Sequence, residues 1–366
     1  MGKSLEIIKT FETKNIKCYR TDRFNLDNEL MEPYQDDTGD YNLIRPHETN
    51  YKNNNFRRSI PQKGFISMFQ YFLDGSRYTY KIADMETSDG EYMPIIAAQV
   101  GAAICKRDID TRKMQKYYLR RKNFIALYNH INEEDFLKIE SEINKKELNG
   151  INFACIRYNS KSERSKERPE NAAIAKILNE MHEIEINLLN SMMNNKKLGT
   201  DKMLILDGSL QFLGKDIDEK VFEYVIGISK SFNPNLKGKF RNKDIHIATA
   251  LIDLEYGQRT LVFKHQVPGC NRIIGTWYIR IRPRNMVRNP LDGIVKVEKI
   301  AITEDEKELG FDTDRIDTIS HAILCERNVT CHGKDSRWCN HLYPIYLTEK
   351  MLKESFINEK VFLNII

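Results

Sequence analysis

Apolar positions along this chain fall mostly into short runs bounded by turn residues, and one long stretch follows helical spacing instead. Ile66, Met68, Phe69, Tyr71, Phe72 and Leu73 form a strand-like run leading into Asp74-Gly75-Ser76-Arg77. That tetrapeptide reads as a turn, with residues 78–82 as the hairpin partner. Residues 94–104 and 151–158 are further strand candidates, followed by 202–206, 221–230, 261–263, 276–281 and 294–300. Between 107 and 147 the chain is charged, with Tyr118, Phe124, Ile125, Leu127 and Tyr128 at helix-like spacing, which predicts a helical insertion. The clearest helix spans about 170–194, where Ile174, Ile177, Leu178, Met181, Leu188 and Met192 share one stripe. A last helix is expected over 347–356. Strands interleaved with helices predict an α/β fold, a mixed sheet flanked by helices.

Residues 1–62 are polar and rich in Asn, Asp, Tyr and Arg, and end at the turn Pro61-Gln62-Lys63-Gly64. They read as an N-terminal extension, a candidate arm for docking a partner or forming a dimer, ahead of one domain over 63–366. With 41% hydrophobic and 30% charged residues in 366, the chain has the composition of a globular domain. No run approaches the roughly 18 apolar residues of a membrane helix. Lys3 and Glu6 at the charged start fit neither a secretory signal nor a myristoylation site, so the expected location is cytoplasmic, away from membranes.

The 57 basic and 52 acidic residues leave only +5, too little to announce nucleic acid, so the local distribution matters more. Arg112, Lys113, Lys116, Arg120, Arg121 and Lys122 crowd around Tyr117 and Tyr118, and Arg280, Arg282, Arg284 and Arg288 form a second group. Basic residues interleaved with aromatics suit phosphate neutralisation and base stacking, and a solvated helix face explains the first group equally well. Candidate DNA contacts are Arg77, Arg120, Arg121, Arg280 and Arg282. The 7 cysteines, an odd number, argue against a disulfide framework. Cys325, Cys331, His332, Cys339 and His341 offer zinc ligands but contain no Cys-x-x-Cys pair. A structural Zn²⁺ is one reading, and partly buried cysteines beside surface histidines are the other.

Two strand candidates run into the same Asp-Gly-Ser, at Asp74 and Asp207. A buried strand delivers the carboxylate, and glycine permits an abrupt turn beside it. On adjacent strands the two aspartates would share a hard divalent cation, although each Asp-Gly alone is an ordinary turn signal. Glu185 falls on the apolar stripe of the long helix, where an unpaired charge is costly; it must be paired, protonated or metal-bound, unless it lies at the stripe's edge. Glu183 points outward in the same phase. Three carboxylates converging on Mg²⁺ or Mn²⁺ suit phosphodiester hydrolysis, usually with a pair of ions, and Asp74 is the best placed to bridge them.

The chain resembles the NurA nucleases in six ordered pieces spanning about 66–356. They are Phe72-Leu73-Asp74-Gly75-Ser76-Arg77, the helix at 183–189, Leu204-Ile205-Leu206-Asp207-Gly208-Ser209-Leu210, Val225-Ile226-Gly227-Ile228-Ser229-Lys230, Trp277-Tyr278-Ile279-Arg280 and Tyr343-Pro344-Ile345-Tyr346-Leu347. The resemblance implies an RNase H-like fold shared with PIWI domains, and a Mn²⁺-dependent DNA exo- and endonuclease. It further implies a dimer docked on a HerA-type hexameric translocase for end processing or phage defence, with Lys230 near the scissile phosphate. The chain departs from the family in its last helix, where Lys350 and Met351 stand near the position of a usual His ligand; Glu349, Glu354 or His341 would have to take its place. That departure admits an alternative, a non-catalytic nucleic-acid-binding or assembly subunit of the same shape. A PIWI-like guide-handling protein would need further domains for which the first 62 residues are too short and polar.

Overall fold

The computed structural model describes residues 9–28, 45–50, 56–62, 64–145, 151–160, 168–212, 216–240, 243–265, 272–329 and 337–366. In chain order the principal elements are β1 (Ile16–Asn25), β2 (Phe69–Thr87), β3 (Tyr92–Arg107), β4 (Met114–Tyr128), α1 (Glu133–Lys145), β5 (Phe153–Tyr158) and α2 (Pro169–Asn194). They continue with β6 (Met203–Asp207), β7 (Val225–Ser229), β8 (Ile274–Arg280), β9 (Ile294–Ile300), α3 (Thr313–Leu324), α4 (Tyr343–Glu354) and α5 (Glu359–Ile365). The fold is α/β, with a 13-stranded mixed sheet ordered β8-β9-β7-β6-β2-β3-β4-β5 through its centre. β2, β3 and β4 form an antiparallel meander; β6 lies parallel to β2, and β7 parallel to β6. Among the described residues no helix is long and apolar enough to cross a membrane.

The expected hairpin at Asp74-Gly75-Ser76-Arg77 does not form. β2 runs straight through it for 19 residues, because β3 pairs with it continuously on both sides, Leu73 opposite Ile104 and Tyr78 opposite Gln99. The turn comes instead at 88–90, where Gly90 takes a φ of 78°. The helical insertion over 107–147 is corrected in its first half. Met114–Tyr128 is strand β4, paired with β3 on one edge and β5 on the other, and only Glu133–Lys145 is helix. The contiguous Phe124 to Tyr128 run is buried, as a strand with both faces covered requires, and short apolar runs do not distinguish strand from helix.

The two faces of β2 carry different partners. α2 and α4 both pack on β2, β3 and β4. A Cβ on Gly75 would meet α2 at Glu185 and Met181, whereas one on Gly101, the register partner of Ser76, would meet Leu352 of α4. Since neighbouring residues of a strand face opposite ways, α2 covers one side of the sheet and α4 the other. Asp74 and Ser76 therefore share the α4 side.

The described part of the N-terminal extension is structural. β1 lines the far half of β2, from Asn25 opposite Tyr80 to Ile16 opposite Thr87. Farther along, Glu48 is buried against Arg259, which donates to its carboxylate at 2.6 and 3.0 Å and to Asp317 of α3 at 2.7 Å. All three side chains are within 3% of complete burial, so removing the guanidinium would leave Glu48 buried without its ion-pair partner and Asp317 with Arg58 alone. Arg259→Met is expected to lower unfolding stability by about 3–5 kcal/mol in urea titrations. Arg57→Ala, at an exposed 3.8 Å pair with Asp253, should cost under about 1 kcal/mol. Equal effects would mean that the buried triad adds nothing to holding the extension in place.

Candidate metal centre

β6 is an apolar strand of five residues, and its parallel register sets Leu206 beside Leu73, which brings the next residues, Asp207 and Asp74, side by side. β6 stops there. Gly208 turns away at a φ of 132°, which an L side chain rarely adopts. The edge of β2 is taken up again only at Tyr80, by β1. Asp74 thus occupies the start of a gap between two neighbours, which serves in place of the strand end expected from sequence. Asp27, just after β1, closes the far side of the gap by accepting from Thr79 N at 2.8 Å.

The turn after Asp207 is fixed from β9. Glu298, fully buried, accepts from Ser209 Oγ and Leu210 N, both at 2.8 Å, and pairs with Lys296 at 3.1 Å. Burial opposes its charge, but Lys296, His265 and these donors outweigh that and hold its carboxyl below the ordinary range.

Glu349 of α4 completes a tight group. One carboxylate oxygen each from Asp74, Asp207 and Glu349 lie within 4.8 Å of one another, a spacing that can hold a metal ion. Of Glu349, Glu354 and His341, the residue that joins the two aspartates is Glu349. Glu354 faces Lys350 at 3.8 Å, and His341 is buried close enough to Glu349 to favour its charge. Glu349 was legible by the argument that singled out Glu185: it lies four residues after buried Ile345 and three before buried Leu352, on the apolar side of its helix.

Lys230 follows β7 and enters the group. Its Nζ is 2.6 Å from Asp207 Oδ2 and 3.9 Å from Glu349 Oε2. Burial disfavours the ammonium charge, yet Asp207, Asp74 and Glu349 overcome this and hold its pKa above the usual lysine value. Lys353 pairs with Glu349 at 2.7 Å. Burial works against Glu349 as well, but Lys230 and Lys353 keep its carboxyl below the ordinary range. Asp74 goes the other way: burial first, then the neighbouring Asp207, push it well above the usual carboxylate value. Its Oδ2 is buried with no hydrogen-bond partner among the described residues.

Glu185 is buried on α2, as its place on the stripe predicts, and the edge-of-stripe alternative falls away. It stands outside the tight group and reaches the aspartates from the other side of the sheet, across Gly75. A Cβ at that position would lie 2.3 Å from Glu185 Oε1, so glycine is needed there for close approach. Burial, reinforced by Asp207, pushes its pKa up to about 8.

The proposed DNA contacts divide. Arg280 is fully buried and donates to the carbonyls of Leu254 at 2.6 Å, Pro290 at 2.6 Å and Asp292 at 3.1 Å. Arg282, also buried, donates to Cys339 O at 2.7 Å and to Val329 O. Both are corrected to scaffold residues: their donors are engaged by backbone and they present nothing to a ligand. Arg77 is engaged with Asp27 and with Thr79 Oγ1. Arg120 and Arg121 are exposed on β4. The register runs Ser76 to Gly101 to Arg121, so Arg121 shares the Asp74 face, two strands away, while Arg120 faces oppositely.

Of the Cys and His cluster, Cys331 and His332 lie outside the described residues. Cys325, Cys339 and His341 are described and do not gather; the acidic triad is the group with metal-ligand spacing among the described residues. The segment instead supports the site's rim. Arg282 holds Cys339 O, and the neighbouring Asn340 donates through Nδ2 to Lys230 O at 2.7 Å.

No family model matches the chain, and no curated protein matches it either.

The raised carboxyls make stability pH-dependent in a definite direction. Below its ordinary value of 4.5, Glu185 is protonated in both folded and unfolded chains. From there to about 8 the unfolded chain ionises while the folded one resists, so stability falls as pH rises and levels off above that window. Without divalent metal, unfolding free energies from urea titrations should decline between these limits by up to about 1.4 kcal/mol per pH unit for Glu185. Glu185→Gln should flatten part of the slope. A midpoint rising over the same window would contradict the arrangement.

Proposed function

We propose that the chain is a divalent-metal-dependent nuclease acting on DNA, built on an RNase H-like fold. The observation that carries the proposal is the convergence of Asp74, Asp207 and Glu349, with Asp74 Oδ2 buried and without a partner among the described residues, a set of hard oxygen donors that suits Mn²⁺ or Mg²⁺. The fold reading is supported by strand order: an antiparallel meander, β4-β3-β2, extended by two parallel strands, β6 and β7, with carboxylates where β2 and β6 meet.

The residues divide the work. Asp74, Asp207 and Glu349 would hold the cation, and Glu185 lies across the strand, where a bound cation would favour its ionised form. A bound divalent cation would activate water and polarise the phosphodiester. Lys230 holds a positive charge beside Asp207, where it can stabilise charge developing on a phosphate oxygen. Arg121, on the same face, is suited to the DNA backbone. Glu349 supplies a third carboxylate where the absence of the family's histidine favoured a non-catalytic subunit. A homodimer and a HerA-type translocase partner belong to this proposal through the resemblance of the ordered motifs, and work in end repair or phage defence fits it equally.

End-labelled linear and circular DNA, incubated with Mn²⁺, Mg²⁺ or EDTA, tests the activity. Wild-type cutting should require the metal, and Asp74→Ala and Asp207→Ala should drop to background while keeping the wild-type circular dichroism. An Asp207→Ala protein that still cuts would end the assignment. Binding to uncleavable DNA checks the surface: Arg121→Ala should lower the salt slope of log K by about 1, and Arg120→Ala should leave it unchanged. The reverse result would move the DNA path to the other face of β4.

A further inference from the structure

We propose that this centre takes one divalent cation, on the Asp74 side of Asp207, and that the Lys230 ammonium stands where a second ion would otherwise sit. The inference rests on the metal-dependent reading above and adds its stoichiometry. Three observations carry it.

The first is the division of acceptors. Asp74 Oδ2 is buried and has no partner among the described residues, which leaves an unsatisfied hard acceptor on a residue of the group. Asp207 Oδ2 is already taken. Lys230 Nζ lies 2.6 Å from Asp207 Oδ2 and within 3.9 Å of Glu349 Oε2, between the two carboxylates that a second ion would need to bridge.

The second is that Lys230 is held at both ends. Its side chain is only 11% exposed. Its carbonyl accepts from Asn340 Nδ2 at 2.7 Å, and Asn340 Oδ1 in turn accepts from Gly293 N at 2.7 Å. Displacing the ammonium would require carrying a charge out of a buried pair or moving this backbone, and either opposes entry of a competing cation.

The third is charge. Asp74, Glu185, Asp207 and Glu349 bring four carboxylates, and Lys230 and Lys353 bring two ammonium groups. Counted by residue type, at most two negative charges remain, which one divalent cation balances. A second would leave an excess of positive charge in a buried site. A fixed lysine supplies positive charge toward a phosphate without a second binding equilibrium.

The test titrates Mn²⁺ into the full chain, with free and bound ion read by electron paramagnetic resonance, so that no turnover is required. Wild type should bind one Mn²⁺ per chain with a mononuclear spectrum. Lys230→Met should bind a second, with the spin-coupled spectrum of a pair, and Lys230→Arg, which keeps the cation, should stay at one. Circular dichroism establishes that each variant is folded. Two coupled ions in wild type would overturn this inference alone, whatever becomes of the variants. A folded Lys230→Met that still binds one would show that the lysine stands in for nothing. No Mn²⁺ bound by wild type at all would instead overturn the metal-dependent reading beneath it.

Discussion

The short pair between Lys230 and Asp207 is the contact on which the centre depends, because it makes a buried gathering of acids tolerable. Two carboxylates within 4.8 Å repel by on the order of 3–4 kcal/mol even at an effective dielectric of 20, and three such acids meet here. Burial raises the cost of each charge further. The chain divides the load. Asp207 and Glu349 are charged against Lys230 and Lys353, while Asp74 and Glu185 are pushed toward the protonated form. Burial leads the shift at Asp74 and Glu185, and at Asp74 it outweighs the attraction of Lys230.

The fold supplies the pair by way of three strands and one loop. β6 and β7 run parallel to β2, so their carboxyl ends open on the same side and deliver Asp207 and Lys230 beside Asp74. Buried polar groups behind them fix the delivery. Glu298 clamps the turn after Asp207, and Asn340 clamps the backbone of Lys230. Arg282 clamps the loop carrying Asn340, a few residues before α4 brings in Glu349. The arginines that resemble a basic DNA-binding stripe are thus part of the site's support. Their guanidinium donors satisfy the carbonyls of irregular backbone, which buried loops otherwise leave unpaired.

What was legible in the sequence depended on how local its cause was. α2 and the burial of Glu185 follow from a 3.6-residue periodicity carried entirely within the segment, and both stand. β6 ends at Asp207 as its apolar run and Asp-Gly-Ser announce. The identical tripeptide at Asp74 behaves differently, because β3 offers an unbroken pairing partner and Gly75 is used for the close approach of Glu185. No local signal separates these two uses of Asp-Gly. The strand at Met114–Tyr128 was hidden for the same reason, its apolar residues being contiguous and its state decided by β3 and β5. Arg280 and Arg282 alternate as a strand's residues do, and alternation does not say which face is buried. Glu349, by contrast, was within reach, since it breaks an apolar helix face as Glu185 does.

Stability alone gives no reason for such a cluster. The sheet around it is apolar, with Phe72, Leu73, Ile205 and Leu206 beneath the aspartates and almost wholly buried. A buried ion pair replaced by well-packed apolar residues is often neutral or stabilising, and unpaired acids such as Asp74 are worse than neutral. Glycine at 75 adds a further local cost, since it gives up strand-forming side-chain packing to admit a carboxylate. A sequence shaped for folding alone would fill this gap with valine or isoleucine. Four acids, a lysine held at both ends and a glycine that admits one of the acids all work against folding at one point in an otherwise apolar sheet. Local rules broken together in this way mark a place shaped by what it binds.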